Sequence, residues 1–133
     1  MPKFPNAFLM LGPYGLTGGS WFQLVENQSR HAVRTIREAH RRGATCVEIK
    51  QEAHDRYFAE VQRRQQGTVF FNHNCGSANS YFFDHHGDAP FLRPGLAVEA
   101  WWDARTFDLD NYTYRSMAKR PAALESAQAL ARR

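Results

Sequence analysis

The feature that most constrains this chain is an apolar run, Phe8-Leu9-Met10-Leu11, which breaks into Gly12-Pro13-Tyr14-Gly15-Leu16-Thr17-Gly18-Gly19 and then opens at Ser20 into a long amphipathic segment. A strand, a glycine loop and a helix in that order is the opening of an α/β unit. Phe22, Val25, Ala32, Val33, Ile36 and Ala39 recur at a 3.6-residue period, while Arg30, Arg34, Arg37 and Arg41 fall on another face, so the apolar set is expected to pack inward. Ser20 followed by Gln23 fits a capping box, and Gly43 suits a left-handed exit. The helix is therefore predicted from Ser20 to Arg42. Such a turn places free N–H groups and the positive end of a helix dipole at a sheet edge, a setting that suits anionic or electron-rich ligands but also occurs with nothing bound.

Beyond this unit, Thr45–Ile49 is β-branched and alternating and predicts a strand, and Gln51–Gln66 carries Ala53, Tyr57, Phe58 and Val61 at helical spacing with Gly67 as its stop. Thr68–Phe71 fits either a strand or an apolar anchor. Asn72–Asp88 turns to Asn, His, Ser, Gly and Asp and predicts a long ordered loop with a turn at His86-Gly87-Asp88. Pro94 and Gly95 mark a bend, Leu96–Trp102 reads as extended, and Thr106–Tyr114 shows no period. Pro121–Arg133, rich in Ala and Leu, is expected as a C-terminal helix or a loosely attached tail. At 133 residues the chain is one domain, divided here into residues 1–116 and a segment 117–133.

A hydrophobic fraction of 43% argues for a folded chain, and no apolar run nears the roughly 20 residues needed to span a bilayer. Met1-Pro2-Lys3-Phe4-Pro5 lacks the apolar core of a secretion signal, so a cytoplasmic protein without a membrane partner is expected. The net charge of +4 lies largely on one helix face diluted by Glu26 and Glu38, which reads as a solvated face and not as a nucleic-acid surface.

Cys46 and Cys75 show no Cys-x-x-Cys spacing, and His73, Cys75, His85 and His86, with Asp84 and Asp88 beside them, lack the i, i+4 spacing that zinc sites use, so no metal is expected. Cys75 near His73 is read as incidental, since a reactive thiol needs an electropositive, partly exposed setting. No nucleophile elbow, phosphate-cradling lysine loop or Gly-x-Gly-x-x-Gly fingerprint occurs, and no catalytic residue is assigned.

Phe4-Pro5-Asn6-Ala7-Phe8-Leu9-Met10-Leu11-Gly12-Pro13, Gly15-Leu16, and a long helix carrying Glu26 and Gln28 resemble the C-terminal portion of FAD- and NADPH-dependent monooxygenases of the Baeyer–Villiger and flavin-containing type. The order continues through Tyr57, Cys75, Ser80-Tyr81-Phe82, Asp84 to Gly87, Pro94-Gly95 and Phe107-Asp108-Leu109-Asp110-Asn111-Tyr112, so the resemblance covers about residues 4 to 114. It implies a partial FAD/NAD(P)-binding, Rossmann-like α/β domain and the family's NADPH- and oxygen-dependent oxygenation of a ketone or soft nucleophile, with the cofactor carrying the chemistry.

By resemblance, Gly12, Pro13, Tyr14, Gly15, Leu16 and Ser20 would border the flavin, and Ser80, Tyr81 and Phe82 would belong to a loop over nicotinamide and substrate. Tyr81 stands where that loop usually carries tryptophan. Both dinucleotide fingerprints, the family's Phe-x-Gly-x-x-x-His signature and its active-site arginine are missing. The expectation is thus a C-terminal segment, inactive alone, that leaves apolar surface for the missing N-terminal part of an enzyme or for self-association. The alternative is a stand-alone small α/β binding module without catalysis.

Overall fold

Gly43 ends the first helix with a positive φ of 65°, and the backbone around it closes a Schellman motif. The Ala44 N–H donates to the Ala39 carbonyl at 2.9 Å and the Gly43 N–H to that of His40 at 3.0 Å. In the computed structural model, which describes residues 1–16, 20–71 and 82–117, this helix, α1, spans Trp21–Arg41. Its limits match the sequence expectation. The capping box does not form: Ser20 is the N-cap with extended dihedrals, but its side chain makes no cap bond. Its carbonyl alone accepts from Leu24 N–H, at 3.1 Å.

The chain then forms β1 (Cys46–Ile49), α2 (Gln51–Gln65), a 3-10 turn at Val69–Phe71, α3 (Ala97–Thr106), a second 3-10 turn at Leu109–Asn111, and β2 (Tyr112–Arg115). The two strands pair antiparallel, Cys46 opposite Arg115 and Ile49 opposite Tyr112. The result is a small mixed α/β arrangement whose described sheet has two strands. Most of the Asn72–Asp88 loop and all but the first residue of 117–133 lie outside the described residues.

Three further expectations require correction. Phe8–Leu11 is not a strand, because no described strand lies beside it; Leu11 instead takes a left-handed φ of 51°, and the segment turns. Leu96–Trp102 is not extended. Ala97, Ala100 and Ala104 give α3 a small-residue face at i, i+3, i+7, while its bulky residues Val98 and Trp102 point outward, so the apolar mass misleads about the period. The N-terminal Leu96 N–H is held by the Glu99 carboxylate at 3.0 Å. Within Thr106–Tyr114, where no period is visible, β2 begins at Tyr112.

The third correction concerns α1. Its buried residues are Leu24, Asn27, Thr35 and Ala39, a set at helical spacing that is half polar. The apolar stripe predicted to pack inward is largely in solvent, with Phe22 87% and Ile36 53% exposed. The core itself is thin and built from small side chains, among them Cys46, Val47, Ala53, Val61, Ala89 and Ala104. Gln65 closes one end: its buried amide donates to the carbonyls of Ala89 at 2.7 Å and Leu92 at 3.1 Å, tying α2 to the chain before α3.

Candidate functional site: an open apolar cavity

The N-terminal arm, residues 1–16, is held to β1 by Asn6 and by the Glu48 carboxylate, which accepts the Lys3 N–H. Asn6, at a left-handed φ of 59° that asparagine tolerates, donates its N–H to the Val47 carbonyl at 2.8 Å. Its Oδ1 accepts from Val47 N–H at 2.9 Å, and its Nδ2 donates to the Thr45 carbonyl at 3.1 Å. From that anchor the arm runs over the inner face of α1 and leaves a cavity of about 540 Å³ between arm, α1, β1, the start of α2 and α3. Phe8, Leu9, Leu24 and Ile49 give it apolar walls, and its polar lining includes Gln28, His31, Tyr112 and the Arg93–Asp103 ion pair.

Of the residues expected near a flavin, Tyr14 and Gly15 line this cavity; Gly12, Pro13, Leu16 and Ser20 do not. The turn is fixed from two sides. Gln28 on α1 accepts the Leu11 N–H at 2.8 Å, and a Cβ on Gly15 would lie 2.7 Å from the Gly12 carbonyl oxygen and 3.3 Å from the Gln28 amide nitrogen, so only glycine fits there. From the other side, Tyr14 N–H donates to the Pro90 carbonyl, Arg93 N–H donates to the Leu16 carbonyl at 2.7 Å, and Leu16 and Leu92 form a parallel bridge.

The turn and the chain following the long loop are thus joined. Burial first, and then the nearby Asp88 and Asp84 carboxylates, raise the Tyr14 phenol above its ordinary pKa. Its ring meets Phe58 edge-on at 5.6 Å.

Phe82, expected in the substrate-side loop, packs against Phe70 at 5.2 Å and Phe91 at 6.0 Å and is not part of the cavity wall. Ser80 and Tyr81 lie outside the described residues, as do His73 and Cys75. Asp84 serves a turn, accepting from the His86 and Asp88 N–H groups at 2.9 and 3.0 Å. Among the described residues no group of three or more His, Cys, Asp or Glu side chains converges as a metal site.

Sequence reasoning missed His31 and Asn27. His31 lines the cavity with its Nε2 2.7 Å from the Tyr112 hydroxyl, and Phe107 packs edge-on at 5.3 Å. Burial, helped by the neighbouring Arg34 guanidinium, lowers its pKa, so the ring is neutral; burial likewise raises the Tyr112 pKa. Asn27 accepts from Arg105 Nη1 at 3.1 Å, while its buried Nδ2 has no partner among the described residues. The available signal was Leu24, Asn27, Gln28, His31 and Thr35 at helical spacing, which resembles a solvated face because most of it is polar.

The arginine ridge is mostly committed elsewhere. Arg30 pairs with Glu26 at 2.8 Å and Arg41 with Glu38 at 2.6 Å, while Arg34 donates to the carbonyls of Ala104 and Phe107 at 3.0 and 3.1 Å. That leaves Arg37 alone of the four without an ion pair or hydrogen bond among the described residues, which is too little for a phosphate-tracking surface. Among the described residues no helix is long and apolar enough to cross a membrane.

Fold and site together define a small α/β protein with an open, mainly apolar cavity able to receive a flat or apolar body and hydrogen-bond its edge. The described cavity holds no nucleophile with its base and no phosphate-cradling backbone. No protein-family profile, curated protein or solved structure matches the chain.

Proposed function

We propose that this chain is the C-terminal portion of an FAD- and NADPH-dependent monooxygenase of the Baeyer–Villiger and flavin-containing type, working with the remainder of such an enzyme and inactive alone. In this reading the described strands and helices are part of a larger Rossmann-like domain, in which Phe8–Leu11 becomes a strand once another strand lies beside it.

The observation that carries the reading is the condition of that segment. Phe8, Leu9 and Met10 form an apolar run whose backbone groups make no hydrogen bond with the described residues, and the run borders a cavity of about 540 Å³ beside the Tyr14–Gly15 turn. A cavity of this size and lining suits a ring system. The described lining would suit the ring end of FAD, and among the described lining residues no backbone cradle for its phosphates is present.

When bound, FAD would supply the redox and oxygen chemistry. The residues of this chain would position it. Tyr14 and Gly15 would form one wall, and Gln28 would hold that wall through the Leu11 N–H.

The test is a chimera in which this chain replaces the corresponding C-terminal segment of a monooxygenase of that type. A folded chimera that keeps its FAD absorbance and oxidises NADPH supports the reading; a folded chimera without FAD overturns it. Stoichiometric FAD binding and NADPH oxidation by the isolated chain would contradict the incompetence.

A stand-alone binding module is the second reading, favoured by the three Asn6 hydrogen bonds that already tie the arm to β1. A monodisperse monomer that melts cooperatively on its own would support it.

A further inference from the structure

Six positions of α1 recur at alternating intervals of three and four residues: Phe22, Val25, Ser29, Ala32, Ile36 and Ala39. That alternation is the seam of paired helices. Phe22 is the most exposed large apolar side chain among the described residues, Val25 and Ile36 are exposed on the same face, and Ser29 and Ala32 are small enough to let another helix come close. Beside the far end of the seam lies a recess of about 360 Å³, walled by Ile36, Ala39 and His40 of α1, by Ala44 and Val47, and by Phe8 of the arm. An apolar cavity of about 150 Å³ already receives a benzene ring. One face of the helix thus carries an aromatic knob and, about 25 Å further along at 1.5 Å per residue, a hole that fits it.

We propose that two copies of this chain pair antiparallel through this face, each placing its Phe22 in the recess of the other. The contact uses the outer side of α1 and stands independently of the monooxygenase reading.

The register follows from the spacing. A two-fold axis level with the Arg30–His31 peptide sets Phe22 opposite Ala39, Val25 opposite Ile36 and Ser29 opposite Ala32 of the second copy, and each pair occurs twice, as a self-complementary contact requires. The small pair lies at the centre, where the helices come nearest, and the large side chains lie toward the ends.

Charge agrees with that register. Arg37 makes no ion pair or hydrogen bond among the described residues. Glu26 lies on the same flank of the seam, and Arg30 engages only its Oε1, which leaves Oε2 open. The two-fold brings Glu26 of the second copy level with Arg37 to within about 3 Å along the axis, so the unpaired arginine of each copy meets a carboxylate of the other. One helix on one helix is a small interface with one aromatic anchor at each end, which sets the expected dissociation constant in about the micromolar range.

Sedimentation velocity of the full chain across about 1 to 300 µM, a range that brackets such an affinity, should show monomer passing to dimer. Phe22→Ala should raise the dissociation constant at least tenfold and leave the melting temperature of the dilute chain unchanged, because this side chain is almost wholly in solvent in the single copy. Arg37→Glu and Glu26→Arg should each weaken pairing, and the two together should restore it. A chain that stays monomeric throughout, or a Phe22→Ala variant that dimerises like the parent, overturns the proposal; the first outcome would give the stripe to a different protein or to another segment of this chain.

Cross-linking checks the direction. Chains carrying Val25→Cys and chains carrying Ile36→Cys, both in a Cys75→Ser background, are mixed and oxidised mildly. The disulfide joining the two kinds of chain should be at least tenfold more abundant than the one joining two Val25→Cys chains, whose positions lie about 16 Å apart along the axis. Equal yields overturn the antiparallel register.

Discussion

The Nε2 of His31 lies 2.7 Å from the hydroxyl of Tyr112, a contact that fastens the middle of α1 to the first residue of β2 across 81 positions of sequence. The Thr35 hydroxyl, which donates to the His31 carbonyl at 3.0 Å, completes the polar layer under the cavity. These groups are satisfied largely by one another, which marks the pair as a fastening and not as an acid and base awaiting a substrate.

That fastening predicts a pH dependence. Burial lowers the folded pKa of His31 beneath its ordinary value of about 6.5, so in the window just below that value the unfolded chain binds more protons. The His31 contribution is therefore complete above pH 6.5 and declines as pH falls toward the lowered folded value. Thermal melts from pH 8 to pH 5 should show this decline, and His31→Gln should flatten it. An equal slope in the variant would rule the assignment out. Tyr112→Phe, which leaves Nε2 without its partner, should cost about 1–2 kcal/mol at pH 7.5 in urea denaturation.

Arg34 and Arg37 stand on neighbouring positions of one ridge and should behave differently. Arg34 satisfies the Ala104 and Phe107 carbonyls at the end of α3, so Arg34→Ala should cost roughly 1.5–3 kcal/mol. Arg37 makes no such bond, and Arg37→Ala should stay within about 0.5 kcal/mol of the parent. Equilibrium unfolding of the two variants side by side checks both values.

Two glycines separate steric from conformational cost. A Cβ at Gly43 meets nothing within 4 Å, but its φ is 65°, so Gly43→Ala should cost about 1 kcal/mol and Gly43→Asn less. At Gly15 the obstacle is the Gly12 carbonyl, and Gly15→Ala should move the turn itself, seen as faster hydrogen exchange at Tyr14 and Leu16 with a loss of about 1–3 kcal/mol.

Asn6 is the arm's anchor. Asn6→Gly keeps the left-handed backbone and removes two side-chain bonds, whereas Asn6→Ala also adds strain at φ 59°. Hydrogen exchange of the Val47 amide should accelerate in both, and the alanine variant should be the less stable by about 1 kcal/mol. A Val47 amide unchanged in either variant would show that the arm is held by something else.

Local signals in the sequence translated well where backbone chemistry decides the outcome. Gly43 stopped α1 as expected, and β1 and α2 fall within a residue of their predicted limits, because caps, breakers and β-branching act over a few residues. What failed depends on neighbours. Phe8–Leu11 has a strand's composition but no described strand to pair with, and α3 hides its packing face in three alanines while displaying two tryptophans. The same reason concealed the site: Tyr14 and Gly15 were legible from the turn, whereas His31 and Asn27 acquire their meaning only from Tyr112 and Arg105, about 80 residues away.

The pairing of Asn6 with Val47 has one more consequence, for how this protein can be handled. A two-stranded sheet presents an outer edge that invites strands from other molecules, and β1 faces β2 on one side only. With the Val47 N–H and carbonyl both engaged by Asn6, the middle of that edge is closed. Removing Asn6 with the rest of the arm would reopen it and leave a nucleus for sheet-to-sheet aggregation.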